Sequence, residues 1–265
     1  SSFNDEYLNC YIQDALNNNH DLKKAKHVVE QYRQQTKYSL GRELPSLSVS
    51  ANYLGIKVPE LDNFQLKDNA FILPFMASYE ADLLLKNRDK TKSVKKSYEA
   101  AQFNEKAIYL ALLSDVATVY TNILQYDDLI EKQTALLKNQ QEILNRNSKK
   151  FERGVINSTE LNNAKKNVEA SKSSLEKLKK ERETAMMQLA VLTGNSSANT
   201  KDMKVGDFDK FEYAGKIPEA ISSDVIFSRP DVKIAEANLE KAKIDVRVAK
   251  KEFFPRFNIV GIWAF

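Results

Sequence analysis

Most of what would mark this chain as a compact enzyme or a disulfide-stapled domain is scarce. There is one cysteine, Cys10, so no intrachain disulfide and no cysteine-based metal cluster can form. Cys10 is not the first residue, so these residues offer no site for a lipidated N-terminal cysteine. No charged-then-apolar leader precedes Ser1, which implies an export signal already removed or never present. Seven glycines in 265 residues, with 29% charged residues, disfavour an all-β sandwich and favour long helices. The longest apolar run, Ile108–Leu113, falls far short of the roughly 18–20 residues that a transmembrane helix needs. The net charge of +4 is small and its signs are mixed, which argues against a dedicated nucleic-acid surface but allows a local basic patch. The lysine clusters at 165–166 and 179–180 alternate with glutamates and read as a solvated helix exterior. His20 and His27 have no cysteine partner or helix-spaced acid pair, so they read as surface or packing residues rather than metal ligands. Without a glycine-rich phosphate loop, a nucleophile elbow or a CxxC motif, no catalytic residue, cofactor or metal is expected.

What is present is an internal echo. Residues 21–53 align without a gap on residues 231–263, at an offset of 210, and keep Asp21/Asp231, Lys23/Lys233, Ala25/Ala235, Glu30/Glu240 and Pro45/Pro255. Both segments run as a helical pattern, a proline, then strict alternation ending in an aromatic, Tyr53 or Trp263. A duplicated unit of about 210 residues follows, with these residues ending early in its second copy.

Helical spacing covers 5–17 and 21–43, with turn-formers at Asn17–His20 and Asp21 as an N-cap or first-turn acid. Pro45 disfavours a helical Leu44. The period then changes to two: Leu47, Val49, Ala51 and Tyr53 share one face, and Ser46, Ser48, Ser50 and Asn52 the other. This predicts a strand of about ten residues. A polar connection over Lys57–Asn69 leads to a second alternation, Phe71, Leu73, Phe75, Ala77 and Tyr79, in which Pro74 removes one ladder donor.

From Asn87 to Glu152 there is neither proline nor glycine, which predicts one helix roughly 100 Å long. One heptad position is apolar throughout: Tyr109, Val116, Ile123, Ile130, Leu137, Leu144 and Phe151. Its partner position begins with Leu113 and Tyr120 and then turns polar at Asp127, Thr134, Gln141 and Ser148, so the distal end is expected to pack thinly. Gly154 supplies a C-terminal left-handed residue, and Asn157 to Glu160 reads as a capping-box variant opening a second helix. That helix carries its apolar stripe from Leu161 to Leu192, with Ser171 and Arg182 set within it, and ends at Thr193–Gly194. Residues 119–153 and 158–192 thus form an antiparallel hairpin with its tip at Gly154. A mixed connection over 195–227 follows. Pro230 and Asp231 then open a last helix to about Glu252, ahead of alternation at Phe257, Ile259, Gly261, Trp263 and Phe265.

The strands have the length of tilted membrane β, about 9–11 residues, with an aromatic-tipped apolar face. A soluble sheet lying on a helix layer is the alternative. Helices running straight into and out of each strand hairpin leave no layer to cover the apolar face, which favours membrane β. Two to four strands cannot close a barrel, and an open edge cannot stand in lipid, so strands must come from identical neighbours. The aromatics Tyr53, Phe71, Tyr79, Trp263 and Phe265 suit an interfacial girdle.

The segment Phe227-Ser-Arg-Pro-Asp-Val-Lys-Ile-Ala-Glu-Ala-Asn-Leu-Glu-Lys-Ala, running on to Phe253-Phe254-Pro255, resembles the TolC-like outer membrane factors, the outer membrane efflux proteins. So does Phe151-Glu-Arg-Gly-Val-Ile-Asn-Ser-Thr-Glu160 with the helix ending Leu189-Ala-Val-Leu-Thr-Gly194. The resemblance covers essentially the whole chain. It implies a mainly α fold with membrane β, in which two-repeat protomers carry long antiparallel coiled-coil hairpins. Three protomers would build a 12-stranded β-barrel continuing into a periplasmic α-barrel, and this sequence would stop early in repeat two.

The implied parts are N-terminal helices over 1–43, a membrane β-hairpin over 44–85 and the helical hairpin over 86–193 with its periplasmic tip near 153–158. An equatorial connection over 194–227 and the start of the second repeat over 228–265 complete them. The implied function is the outer-membrane channel of a tripartite efflux pump or type I secretion system, a passive duct in a diderm bacterium. Its implied partners are two further copies in a homotrimer, a periplasmic adaptor, an inner-membrane pump of ABC, RND or MFS type, and outer-membrane lipid, with no nucleic acid. Arg153, Gly154 and Val155 match the adaptor-docking tip, and Thr159 and Glu160 match the latch at the periplasmic entrance. Gly154 and Glu160 also serve locally as C-cap and N3 capping acid, and Arg153 favours a helix C-terminus. Leu47, Val49, Tyr53, Phe71, Phe75 and Tyr79 are expected to face the membrane. A periplasmic adaptor built on one coiled-coil hairpin is the alternative, disfavoured by the repeat and the bilayer-length strands. A cytoplasmic coiled-coil scaffold leaves the strands unexplained.

Overall fold

A computed structural model describes residues 5–57, 67–196, 200, 202–211 and 224–264. Among the described residues six α-helices run in chain order: α1 (Glu6–Asn18), α2 (His20–Gly41), α3 (Lys86–Glu152), α4 (Ser158–Leu192), α5 (Asp224–Ser228) and α6 (Pro230–Glu252), with a short 3-10 helix at Phe208–Lys210. The strands are β1 (Ser46–Val49), β2 (Asn52–Lys57), β3 (Lys67–Ile72), β4 (Pro74–Ala81) and β5 (Phe257–Ala264). The chain divides into two compact units, one of Ser1–Lys24 with Lys106–Ser222, the other of Ala25–Glu105 with Ser223–Phe265. The internal echo is structural: α2 begins at His20 and α6 at Pro230, an offset of 210, and each helix leads through a proline into a strand.

In the first unit, α1, α3 and α4 close a core around Leu8, Tyr11, Val116, Tyr120, Ile123 and Leu189. Each fully buried aliphatic side chain there contributes roughly 1.5–3 kcal/mol. Asp5 caps α1 by accepting from the Leu8 N–H at 2.9 Å. Asn19, rather than Asp21, caps α2: its Oδ1 accepts from Leu22 N–H at 3.0 Å while its Nδ2 donates to Leu192 O at 3.0 Å. Asp21 is the first-turn acid. By length and composition part of α3 could cross a bilayer as a helix, which the search for apolar runs missed. One side of that helix, Leu112, Val116, Tyr120, Ile123 and Leu124, is buried within this core, while Tyr109 and Leu110 are exposed.

The predicted seam of the hairpin is observed; among its polar positions Asp127 is clasped across the helices, while Thr134 and Gln141 are exposed, as a thinly packed distal end requires. Arg182, inside the α4 stripe, grips Asp127 of α3 through two hydrogen bonds, the second at 3.0 Å. Gln133 Nε2 donates to Ser171 O at 3.0 Å. Beyond these clasps the seam thins, and Leu136, Ile143 and Phe151 are exposed.

In the second unit the strand of about ten residues is interrupted. β1 stops at Val49 and β2 starts at Asn52, while β3 and β4 are parted at Leu73. Val49 pairs with Phe75 and Asn52 with Ile72, so one antiparallel register runs through the break. Pro74 has no N–H to donate opposite this point, although its carbonyl still accepts from Ser50 N–H at 3.2 Å. Pairing also reaches into the predicted polar connection, with Lys57 opposite Lys67. Backbone ladder bonds extend a hairpin past its apolar residues because they do not depend on side-chain polarity. The rest of that connection, 58–66, lies outside the described residues, as do Phe265 and much of 195–227.

Polar pairs lace α6 to the start of α3. Lys251 Nζ lies 2.7 Å from Asp89 Oδ2, Lys90 Nζ lies 2.8 Å from Glu252, and Ser93 Oγ donates to Asp245. Burial raises the Asp89 carboxyl, but the Lys251 hydrogen bond and the charges of Lys251, Arg247 and Lys92 outweigh it and hold the group below its ordinary value. A depressed folded value means stability present above the unfolded value of about 3.9 and lost as pH falls through the folded one. Asp89→Asn is therefore expected to cost about 1–3 kcal/mol at neutral pH. The melting curves of variant and parent should converge below about pH 4. A gap that stays constant from pH 7 to pH 3 in circular-dichroism melts contradicts this account.

Candidate functional site

Two regions hold the residues singled out by sequence. In the second unit, β1, β4 and β5 form one antiparallel sheet in the order β1-β4-β5. Directly opposed residues share a face, and the register puts Val49, Phe75 and Trp263 in one row, and Leu47, Ala77 and Gly261 in the next. Tyr79 with Ile259 and Ala81 with Phe257 continue the same face. Its side chains are open: Leu47 is 82% exposed and Ile259 63% exposed, and Tyr53 of the β2–β3 pair is exposed as well. The register sets Phe71 opposite Tyr53. The other face carries Ser46, Ser48, Ser78 and Glu80, with Ser46 and Ser78 hydroxyls 2.7 Å apart. It is not uniformly polar, since Met76 opposes Ile262 and Ser78 opposes Val260 there.

The pairing of β4 with β5 joins the two repeats within one chain and was not legible in the alternation. Periodicity reports which face a residue occupies and not which strand lies beside it.

The second region is the tip of the hairpin, in the first unit. Gly154 has φ of 72°, the left-handed region that glycine adopts cheaply, and nothing lies within 4 Å of where its Cβ would be. Its N–H donates to Phe151 O and that of Val155 to Lys150 O, both at 2.9 Å, which closes α3 in a Schellman motif. Asn157 then opens α4 by accepting from Glu160 N–H at 2.9 Å. Two caps separated by a few residues therefore fix the reversal. They bring Arg153, Gly154 and Val155 to the end of the hairpin, with Thr159 and Glu160 in the first turn of α4; all five are exposed. Val155, an apolar residue 67% exposed, has no core to join.

Among the described residues no group of three or more His, Cys, Asp or Glu side chains could hold a metal. The polar clasps at Asp127–Arg182 and Gln133–Ser171 were missed by sequence reading. Their signal was present, because Arg182 stood inside an apolar stripe and Asp127 in the facing seam.

A capped coiled-coil hairpin in a chain that also carries a sheet with an exposed, aromatic-rich apolar face defines a class: membrane β-sheet proteins with long helical extensions. The profile of the outer membrane efflux proteins matches residues 11–195. The probable outer membrane lipoprotein SilC of Salmonella typhimurium is 27% identical over 98% of this chain and 55% of its own length. The cation efflux system protein CusC of Escherichia coli O157:H7 is 26% identical over 98% of this chain and 55% of its own length. The crystal structure of the Campylobacter jejuni CmeC outer membrane channel superposes with a TM-score of 0.85 at 27% identity, covering 98% of this chain and 57% of that one. The chain belongs to the outer membrane efflux protein family, has its TolC-like fold, and is an outer-membrane protein of the Gram-negative type. It spans about half the length of the curated relatives it matches. The adaptor alternative finds no support among these relatives.

Proposed function

We propose that this chain is the greater part of a protomer of a passive exit duct, which receives cargo from an inner-membrane pump through a periplasmic adaptor and releases it outside. The observation that carries this reading is the apolar face aligned across β1, β4 and β5. A row of exposed leucine, valine and aromatic side chains over three strands is costly in water and favourable in hydrocarbon. The free edges of β1 and β5 need strands from elsewhere, because unpaired edge groups are not tolerated in lipid. A homotrimer closing a 12-stranded barrel satisfies both edges. Leu47, Val49, Tyr53, Phe71, Phe75 and Tyr79 then face lipid, and the serine face turns to the lumen.

The work is conduction rather than catalysis. Arg153, Gly154 and Val155 dock the adaptor, a role supported by an exposed apolar residue on a reversal held rigid by two caps. Thr159 and Glu160 help to latch the periplasmic entrance, where the first-turn position of Glu160 fixes its carboxylate near the tip. Planar-bilayer recordings of the full-length protein should show a largely closed pore whose conductance rises on Glu160→Gln. Unchanged recordings remove the latch role, and a parent protein that forms no pore removes the duct.

A further inference from the structure

The turns that join sheet to helix in the second unit expose apolar side chains that neither the helices nor the strands use. β4 ends at Ala81 and α3 starts at Lys86; α6 ends at Glu252 and β5 starts at Phe257. Ala81 and Phe257 lie opposite each other, so both turns leave the same end of the sheet. Leu83 is 71% exposed and Phe253 91% exposed, with Leu84, Leu85 and Phe254 also open. Leu85 sits at φ of 55°, which a branched residue adopts at a cost, and Asp82 holds the turn by accepting from the N–H groups of Lys86 and Arg88 at 2.6 and 3.0 Å. An apolar turn kept outward against local strain points to something that covers it.

The charge around these turns says what. The stretches 79–92 and 247–258 hold eight Lys and Arg against four Asp and Glu, an excess equal to the net +4 of the whole chain. The four carboxylates are already engaged. Glu80 pairs with Lys86 at 3.0 Å, Asp82 caps α3, Asp89 pairs with Lys251 and Glu252 with Lys90. Arg88, Lys250 and Arg256 are left exposed with no ion pair at contact distance among the described residues, although the charge of Arg256 is felt at Glu80 and Glu252. Arg256 lines a hollow of about 30 Å³ with Leu84, Phe254 and Phe257. That is room for about one water-sized group and not for a buried ligand, so the contact is one of surfaces.

We propose that this junction seats the phosphate-bearing headgroups of the helix-side lipid leaflet. Leu83, Leu84, Phe253 and Phe254 enter the acyl boundary, while Arg88, Lys250 and Arg256 meet the phosphates. Apolar residues flanked by exposed cations in local excess fit an anionic interface, with aromatic rings at headgroup depth and basic side chains extended to the charge. The seat is continuous with the apolar sheet face through Phe257, and it fixes how far the strands sink. It rests on the membrane reading of that face.

The test uses the full-length protein with its native cysteines replaced, including Cys10→Ser. A nitroxide is placed at Phe253→Cys or, separately, at Val49→Cys, in phosphatidylethanolamine bilayers with and without phosphatidylglycerol. Phe253 is too exposed for its replacement to disturb packing. Oxygen should reach the label at 253 better than a polar nickel chelate does, at a shallower depth than at 49. Phosphatidylglycerol should immobilise the 253 label in the parent but not in the Arg88→Gln/Lys250→Gln/Arg256→Gln triple variant. The triple variant should also retain about twofold less phosphatidylglycerol through a detergent wash. A 253 label open to nickel while 49 stays in lipid overturns the seat and leaves the sheet reading intact. Water at both positions overturns both. Equal immobilisation and equal lipid retention in parent and triple variant overturn the phosphate contact.

Discussion

Replacing Gly194 with alanine is expected to lower the stability of the first unit by about 3–4 kcal/mol, whereas the same change at Gly154 should cost about 1 kcal/mol. Both glycines have positive φ, 74° and 72°, so the strain of a left-handed alanine is common to the two. Their surroundings differ. A Cβ at Gly154 meets nothing within 4 Å, but at Gly194 it would lie 2.7 Å from both the Cβ and the backbone oxygen of Asn18. That oxygen cannot swing aside, because Asn19 ties the end of α1 to Leu192 O and to the first turn of α2. The overlap must therefore be relieved by moving the α1 end away from α4, and the core between them opens. At roughly 2–4 °C per kcal/mol for a domain of this size, Gly194→Ala should drop the melting temperature by about 10 °C. Gly154→Ala should drop it by only about 2–4 °C. Equal shifts for the two variants would show that the contact with Asn18 does not matter.

These two glycines also mark what could be read in advance. Both stand just past a long helical pattern, and glycine there signals a C-terminal cap whatever the fold around it. The α3 seam from Val116 to Leu144 and the stripe from Leu161 to Leu192 were legible for the same reason, because periodicity is local and burial follows it. The shared faces of Leu47 with Val49 and of Phe75 with Tyr79 held because side chains alternate along a strand whatever strand lies beside it. What escaped was set by partners distant in sequence. The break at Ser50–Ala51 arises from Pro74 across the ladder, and the lock between α3 and α6 joins Asp89 to Lys251 over 162 residues. The clearance at Gly194 depends on Asn18, a neighbour that no window around position 194 contains. At the candidate sites, the caps of the tip were written locally in Gly154 and Asn157. The three-strand width of the apolar face became visible only once β5 was found beside β4.

Tyr120 presents the same long-range character in its most concentrated form, and its truncation is expected to have the largest effect of any single change in the first unit. The residue is fully buried, and its ring centroid lies 6.0 Å from that of Tyr11 and 6.2 Å from that of Phe211. Its hydroxyl donates to Asp5 Oδ2 at 2.8 Å and accepts from Gly206 N–H at 2.9 Å. One oxygen thus ties α3 to the cap of α1 and to the segment around Gly206, which Tyr11 also holds by donating to Lys204 O at 2.7 Å. Tyr120→Ala should cost about 3–5 kcal/mol from the lost ring alone. Tyr120→Phe keeps the ring but leaves a carboxylate oxygen and a backbone N–H without their partner, at about 1–3 kcal/mol. The phenylalanine variant carries a second signature. Burial, with the Asp5 carboxylate adding to it, pushes the Tyr120 hydroxyl well above its ordinary value despite the Gly206 N–H. In the unfolded chain the same group ionises near pH 10, so the unfolded state binds fewer protons above that pH and stability falls as pH rises. Alkaline melts should therefore show the parent losing stability above about pH 10 more steeply than Tyr120→Phe. Parallel losses in parent and variant would mean that the hydroxyl is not buried as described, and a Tyr120→Phe melt equal to the parent at pH 7 would remove the bridging role altogether.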